Sequence, residues 1–187
     1  MTHIAVPATI ADVDAAWLTR ALAIRRPEIV VQRAELVKSL GGACTKLRMA
    51  VETNDPSFPS TIIVKACLEP HTLGMAEMQY KEACVYDRIT PRLDGIETVT
   101  CFYAQADRNI GSALVMEDLD QRDVTCLDAR NPIASFAVAA DFLSSVASLH
   151  AMWWNANELA DDGPLAFAGG LQQLLIPRNE MVLAGPV

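Results

Sequence analysis

The chain has 187 residues, of which 51% are apolar, enough for a packed core in one large domain or two small ones. A formal net charge of −8 with no basic run argues against a nucleic-acid surface or an anionic membrane as the main partner and leaves small molecules or proteins. The five cysteines (Cys44, Cys67, Cys84, Cys101, Cys126) are far apart and form no Cys-x-x-Cys pair, and only three histidines accompany them, which fits a reducing cytoplasm and argues against a zinc site.

Met1 to Pro7 carries no basic stretch followed by an apolar core, and no window reaches the ~20 apolar residues of a membrane span, so a cytoplasmic protein with no membrane partner is expected. Asp12 to Ile24 then carries Trp17, Leu18, Ala21 and Leu22 at helical spacing, with Asp12 as N-cap and Pro27 as a stop. Three β-rich runs follow, Ile29 to Leu40, Cys44 to Glu52 and Thr61 to Cys67, separated by Gly41-Gly42 and by the turn-rich stretch Asn54 to Ser60. They predict an antiparallel meander.

A helix is expected from about Leu73 to Thr90, closed by Pro91, and then two strands, Glu97 to Gln105 and Ser112 to Glu117, joined by the turn Asp107 to Gly111. Asn131-Pro132 pairs an N-cap with proline at the first helical position and opens a long helix to about Asn155, with the stripe Phe136, Ala139, Leu143, Val146, Leu149 and Trp153. From Ala156 onward the chain reads as loop, with one apolar run, Leu171 to Ile176. The fold class is α+β, with a boundary near Leu119 between a strand-rich part, 1–118, and a helical part, 119–187.

Lys65 is the most informative residue. Period-2 alternation puts it on one face of its strand with Ile63 and Cys67, and both faces of that strand are apolar. A charged ammonium is costly there unless a carboxylate pairs with it. On the next helix, Glu82 lies at the centre of a face made by Met75, Met78, Val85, Tyr86 and Ile89, whereas Glu77 lies on the side of Lys81 and Arg88, where it can pair with Lys81. The alternative is that Lys65 snorkels to the edge of its strand and Glu82 sits at a helix rim. Gly41-Gly42 could bring backbone N–H groups to phosphate oxygens, or could simply form a hairpin turn.

The glycine-bearing hairpin, the strand Ile63-Val64-Lys65, the helix with Tyr80-x-Glu82 and Val85-Tyr86, and Met116-Glu117-Asp118-Leu119 together resemble the phosphotransferase superfamily of aminoglycoside, choline and ecdysteroid kinase-like enzymes. Ser148-Leu149-His150-Ala151-x-Trp153-Trp154 looks like that family's first large C-lobe helix. The resemblance covers about Leu18 to Trp154. It implies a protein-kinase-like N-lobe, a five-stranded antiparallel sheet with one helix, followed by an incomplete helical C-lobe.

By similarity, ATP is the cofactor: Lys65 would hold its α and β phosphates, Glu82 would orient Lys65, Gly41, Gly42 and Ala43 would cover the phosphates, and Val115 to Leu119, with Met116, Glu117 and Leu119, would offer backbone hydrogen bonds to adenine. The resemblance stops before the catalytic residues. The family's His-Gly-Asp loop with its asparagine, and the second aspartate for magnesium, are absent, so Mg²⁺ is expected only with a fuller C-lobe. Asp141-Phe142-Leu143 reads as helix surface plus core, Asp161-Asp162-Gly163 as a solvated turn, and His150 as a helix residue with a packing or hydrogen-bonding role.

Three readings follow. The first is a kinase-family chain cut short, with part of the long helix and Trp153-Trp154 exposed. The second is a noncatalytic module that binds nucleotide or a protein, and the third an unrelated α+β domain in which Lys65 and Glu82 form a structural pair. The acceptor is bound mainly by the C-lobe in the family this chain resembles and is not legible here.

Overall fold

The computed structural model describes residues 4–109, 111–124 and 135–168. The chain divides into two compact units, Met1–Ile133 and Ala134–Val187. The division falls later than the expected boundary near Leu119, because the turn after the last strand is tied back to the sheet: the Gln121 amide donates to Thr61 Oγ1 at 2.7 Å, and Arg122 pairs with Glu117 at 3.1 Å.

The first unit is α+β. Its five strands are β1 (Val31–Leu40), β2 (Thr45–Thr53), β3 (Thr61–Ala66), β4 (Cys101–Gln105) and β5 (Ala113–Glu117), all paired antiparallel in the order β1-β2-β3-β5-β4. The first three form the expected meander, and β5 inserts between β3 and β4. β4 starts at Cys101 rather than Glu97: the Thr100 carbonyl still accepts from the Glu117 N–H at 2.9 Å, but the Thr100 N–H turns to the Glu117 carboxylate at 2.6 Å instead of a backbone carbonyl, which ends the ladder there.

Helix α1 (Ala15–Leu22) covers one face of the sheet with Trp17, Leu18, Ala21 and Leu22, the four residues its spacing singled out. They pack with Leu47, Met49, Ile62, Val64 and Val115, and burying each large aliphatic side chain contributes about 1.5–3 kcal/mol. The cap of α1 is Asp14, whose carboxylate accepts from the Trp17 N–H at 2.7 Å, and not Asp12. Asp12 instead closes a 3₁₀ turn (Ile10–Asp12) by accepting from the Thr9 N–H at 2.8 Å and its hydroxyl at 2.9 Å. Trp17 donates to the Ala5 carbonyl and meets Tyr103 edge-on, with ring centroids 6.0 Å apart. The N-terminal segment is further fixed by Gln105, whose amide exchanges two 3.0 Å hydrogen bonds with the backbone of Ile4.

Between β3 and β4 the chain is helical but not uniformly so. A 3₁₀ turn (Pro70–Met75) leads into α2 (Ala76–Cys84), which widens to a π-helical turn (Val85–Ile89) and ends in a 3₁₀ turn (Thr90–Arg92) at Pro91. Within α2 the buried stripe lies one residue round from the expected one, on Gln79 and Ala83 rather than on Met78 and Glu82. Gln79, Ala83 and Cys84 form the buried edge, Met78 and Val85 are exposed, and Glu82 flanks the buried edge instead of centring it.

In the second unit, α3 (Phe136–Trp153) is capped by the Ser135 hydroxyl, which accepts from the Val138 N–H at 3.3 Å. The expected start at Asn131-Pro132, the run Leu171 to Ile176 and Cys126 lie outside the described residues. No residue of α3 is buried. Phe142 and Leu143 are exposed rather than core, as are Phe136 and, just past the helix, Trp154. By length and composition α3 qualifies as a candidate membrane span, which the sequence reading did not anticipate; one such helix is weak evidence for a span. His150 is exposed in its last turn. Asp161-Asp162-Gly163 is a turn, closed by the Gly163 N–H on the Ala160 carbonyl at 2.8 Å. A Cβ at Gly163 would lie 2.4 Å from the Glu158 carbonyl oxygen, which explains the glycine.

Candidate functional site

The sheet face opposite α1 carries the site. Alternation along β3 buries Ile62, Val64 and Ala66 under α1 and turns Ile63 and Lys65 the other way. Lys65 Nζ lies 2.6 Å and 2.5 Å from the two carboxylate oxygens of Glu82. The side chains keep 20% and 32% of their surface exposed, so the pair is open to solvent and to a ligand. Two charged residues from separate elements, each costly alone, meet as expected, with Glu82 at the rim of the buried edge of α2 as the alternative had it. Lys65 is also held from behind, since Gln79 Nε2 points at its carbonyl oxygen at 3.5 Å.

Glu77 does not take Lys81 as its main partner. Arg108, from the turn between β4 and β5, stacks over the Tyr80 ring at 4.0 Å and forks onto the Glu77 carboxylate at 3.1 Å and 2.8 Å. These hydrogen bonds hold the Glu77 pKa below the usual carboxylate range, with the nearby Lys81 charge adding to the effect.

Next to Lys65 on the same face is Lys46, its direct partner across β2 and β3. Lys46 makes no ion pair with any described residue. It reaches over the β1–β2 turn, 41–44, where Gly42 has φ +152°, and a Cβ at Gly42 would lie 3.2 Å from Lys46 Nζ. Gly41 has open space around the same position, and Ala43 is exposed. A lysine ammonium therefore lies beside a turn whose glycine leaves room for it, one strand from a second lysine. Like charges so arranged repel each other, and a bound anion would relieve that repulsion.

At the far end of this face, Arg48 on β2 meets Asp118, which is 4% exposed. Arg48 Nη2 donates to Asp118 Oδ1 at 3.0 Å, its Nε lies 2.8 Å from Oδ2, and the Thr61 hydroxyl donates to Oδ2 at 2.8 Å. Asp120 also contacts Arg48 at 2.5 Å. Burial works against the Arg48 charge, but the hydrogen bond to Asp120 and the Asp118 carboxylate outweigh it and raise its pKa.

The residues expected to meet adenine lie here too. Met116 is buried within the sheet, between Ile63 and Cys101, and its side chain packs with Leu114 and Ala83. The Glu117 N–H is engaged by the Thr100 carbonyl, and its carboxylate accepts from the Thr100 N–H at 2.6 Å and from Arg122. Leu119 opens a 3₁₀ turn (Leu119–Gln121), and its carbonyl accepts from the Arg122 N–H at 3.0 Å. Among the described residues no group of three His, Cys, Asp or Glu side chains is placed to hold a metal ion.

Sequence reasoning missed Lys46 and Arg48. Their signal was available in the alternation of β2, Thr45-Lys46-Leu47-Arg48-Met49, which puts two cations on one face, but only the register against β3 shows that this is the Lys65 face. Comparison of the chain with protein-family models, curated proteins and solved structures finds no match.

Proposed function

We propose that the strand-rich unit is the ATP-binding portion of a small-molecule phosphotransferase of the kinase-like kind that acts on a hydroxyl acceptor. The observation that carries this reading is the Lys65–Glu82 pair on the third strand and the following helix, beside Lys46, which lies over Gly42 and makes no ion pair with any described residue. In protein kinases a lysine on the third strand, paired with a helix glutamate, holds nucleotide phosphates under a glycine-rich loop. Lys65 contacts the α and β phosphates in this account, Glu82 fixes its direction, and Lys46 with the N–H groups of Gly41, Gly42 and Ala43 neutralises the outer phosphates.

The room at Gly42 that a Cβ would fill fits close approach by a phosphate group. When bound, ATP with magnesium supplies the phosphoryl group, and the residues of this chain bind and orient it. Adenine would be held near Met116, Glu117 and Leu119. The Glu117 N–H is already bonded, so the Leu119 backbone is the preferred contact. A nucleotide-binding role in the cytoplasm belongs to the same proposal, and phosphoryl transfer would further require a catalytic-loop aspartate and a metal-binding aspartate, for which the sequence holds no His-Gly-Asp motif. Titration of the full chain with ATP tests it: saturable binding that Lys65→Ala weakens at least about tenfold while the far-UV spectrum is unchanged supports the reading, and no binding to the unmutated chain removes it.

A further inference from the structure

β2 begins at Thr45 and β3 ends at Ala66, and these two residues stand opposite each other at the end of their ladder. One step further out, the same antiparallel register sets Cys44 opposite Cys67. Opposite residues of an antiparallel pair have Cα atoms roughly 4.5–5.5 Å apart, inside the range of roughly 4.4–6.8 Å that a disulfide spans. The two thiols also interact directly, Cys44 acting on the Cys67 thiol through its charge and as a hydrogen-bond partner.

The two cysteines differ in access. Cys44 is 6% exposed, whereas Cys67 is half-buried and lines a cavity of about 600 Å³ between the start of α2, the β4–β5 turn and the N-terminal segment. A reagent from solution therefore meets Cys67 first. Cys44 closes the turn 41–44 and Cys67 follows the strand that carries Lys65, so a bond between them would tie that turn to the end of β3.

We propose that Cys44 and Cys67 are a reversible oxidation site, which closes to an intrachain disulfide by exchange with a small disulfide of the glutathione type. The Cys67 thiolate attacks one sulfur of the small disulfide, which forms a mixed disulfide and releases one small thiolate. Cys44, as thiolate, then attacks Cys67 Sγ and expels the second. The protons of the two protein thiols pass to the two released thiolates, so two protein thiols are oxidised, one small disulfide is reduced, and no further reactant is needed. In a reducing compartment a bond of this kind is transient.

Burial, and after it Cys44, raises the Cys67 pKa to about 11, while Thr72 and the Lys65 charge pull it down by less. Attack is therefore slow at neutral pH, and the equilibrium is the property to measure. The site rests on strand register and does not depend on the nucleotide reading.

The full chain, reduced and freed of reductant, is equilibrated without oxygen in mixtures of reduced and oxidised glutathione, in buffer and in concentrated urea. After an acid quench and alkylation of the remaining thiols, digestion with trypsin should yield Ser39–Lys46 joined to Ala66–Lys81, peptides that hold one cysteine each. Folding holds the two thiols together, so half-formation in the folded chain should need a mixture about tenfold or more less oxidising than in urea. By the same linkage the oxidised chain should melt about 5 °C or more above the reduced one. Cys44→Ser should stop at the mixed disulfide, with one glutathione on Ala66–Lys81, and Cys67→Ser should leave Ser39–Lys46 unmodified. If a variant does not fold, the linkage in the unmutated chain decides. No joined peptide at any ratio, or half-formation in the folded chain at the same or a more oxidising mixture than in urea, would overturn the proposal.

Discussion

Lys46 and Lys65 stand directly opposite each other across β2 and β3, one ammonium matched by Glu82 and the other set over Gly42 without a carboxylate. A protein seldom gains stability by such a juxtaposition, because like charges directly across a strand pair repel. It makes chemical sense if an anion larger than one carboxylate occupies the space, and the roles of the two lysines can then be separated by experiment.

Lys65→Met should leave the fold intact. The pair it breaks is partly exposed, so the stability lost is roughly 1 kcal/mol or less by chemical denaturation. A charge-assisted contact to phosphate is worth about 1.5–3 kcal/mol, so ATP affinity should fall roughly ten- to a hundredfold. Loss of stability equal to the loss of binding energy would make the pair structural.

Lys46→Met should leave stability unchanged or slightly raised, since the charge has no ion-pair partner among the described residues to strand and its repulsion of Lys65 is removed, and should weaken ATP more than adenosine. Gly42→Ala should do both kinds of damage. At φ +152° a side chain is strained, at about 1–3 kcal/mol, and the new methyl would crowd the Lys46 head. Calorimetric Tm values and ATP and adenosine titrations of the two variants check this.

Arg48→Met removes the partner of a carboxylate that is 4% exposed. Breaking a buried pair in this way costs about 3–5 kcal/mol, and the low end is expected because Arg48 is 22% exposed and the Thr61 hydroxyl still serves Asp118. Urea denaturation should show the loss. The double variant Arg48→Met, Asp118→Asn should recover part of it.

Burial raises the thiol pKa of Cys67 to about 11, with the neighbouring Cys44 adding to the shift, and burial likewise raises Cys101 to about 11. The folded chain then holds protons that the unfolded chain, with thiols near 9.0, releases. Their contribution to stability is complete below pH 9 and is lost as pH rises from about 9 to about 11. Tm should fall across that window, less steeply in Cys67→Ala, Cys101→Ala. At pH 8 both thiols should react with iodoacetamide at least about tenfold more slowly in the folded than in the unfolded chain.

The strands and the meander of the first three were legible because alternation is a strong signal where one face is covered, whereas the insertion of β5 between β3 and β4 was not. Ile62, Val64 and Ala66 alternate with Ile63 and Lys65, and Trp17 with Leu18, Ala21 and Leu22 gives the helix that covers the first set. The Lys65–Glu82 contact could be anticipated from cost alone, since each charge lies in an apolar context. What resisted reading was anything set by long-range register or by departure from ideal geometry. The Lys46–Lys65 juxtaposition depends on how β2 aligns with β3. Which stripe of α2 is buried depends on how the helix packs on the sheet: Gln79 and Ala83 lie inside, Glu82 sits at the flank, and Met78 and Val85 are outside. Glu77 found Arg108, 31 residues away in sequence, where local spacing offered Lys81. Asp12 and Asp14 are equally good caps by type, and only the 3₁₀ turn before α1 decides between them.

The measurement that tests the central claim most directly is isothermal titration of the full chain with ATP, run beside Lys65→Met, Lys46→Met and a control that removes a cation near the start of β1, Arg33→Gln. The account predicts saturable binding, weakened about tenfold or more by Lys65→Met, also weakened by Lys46→Met, and unchanged by Arg33→Gln. No binding, or binding that neither lysine variant alters, would contradict it.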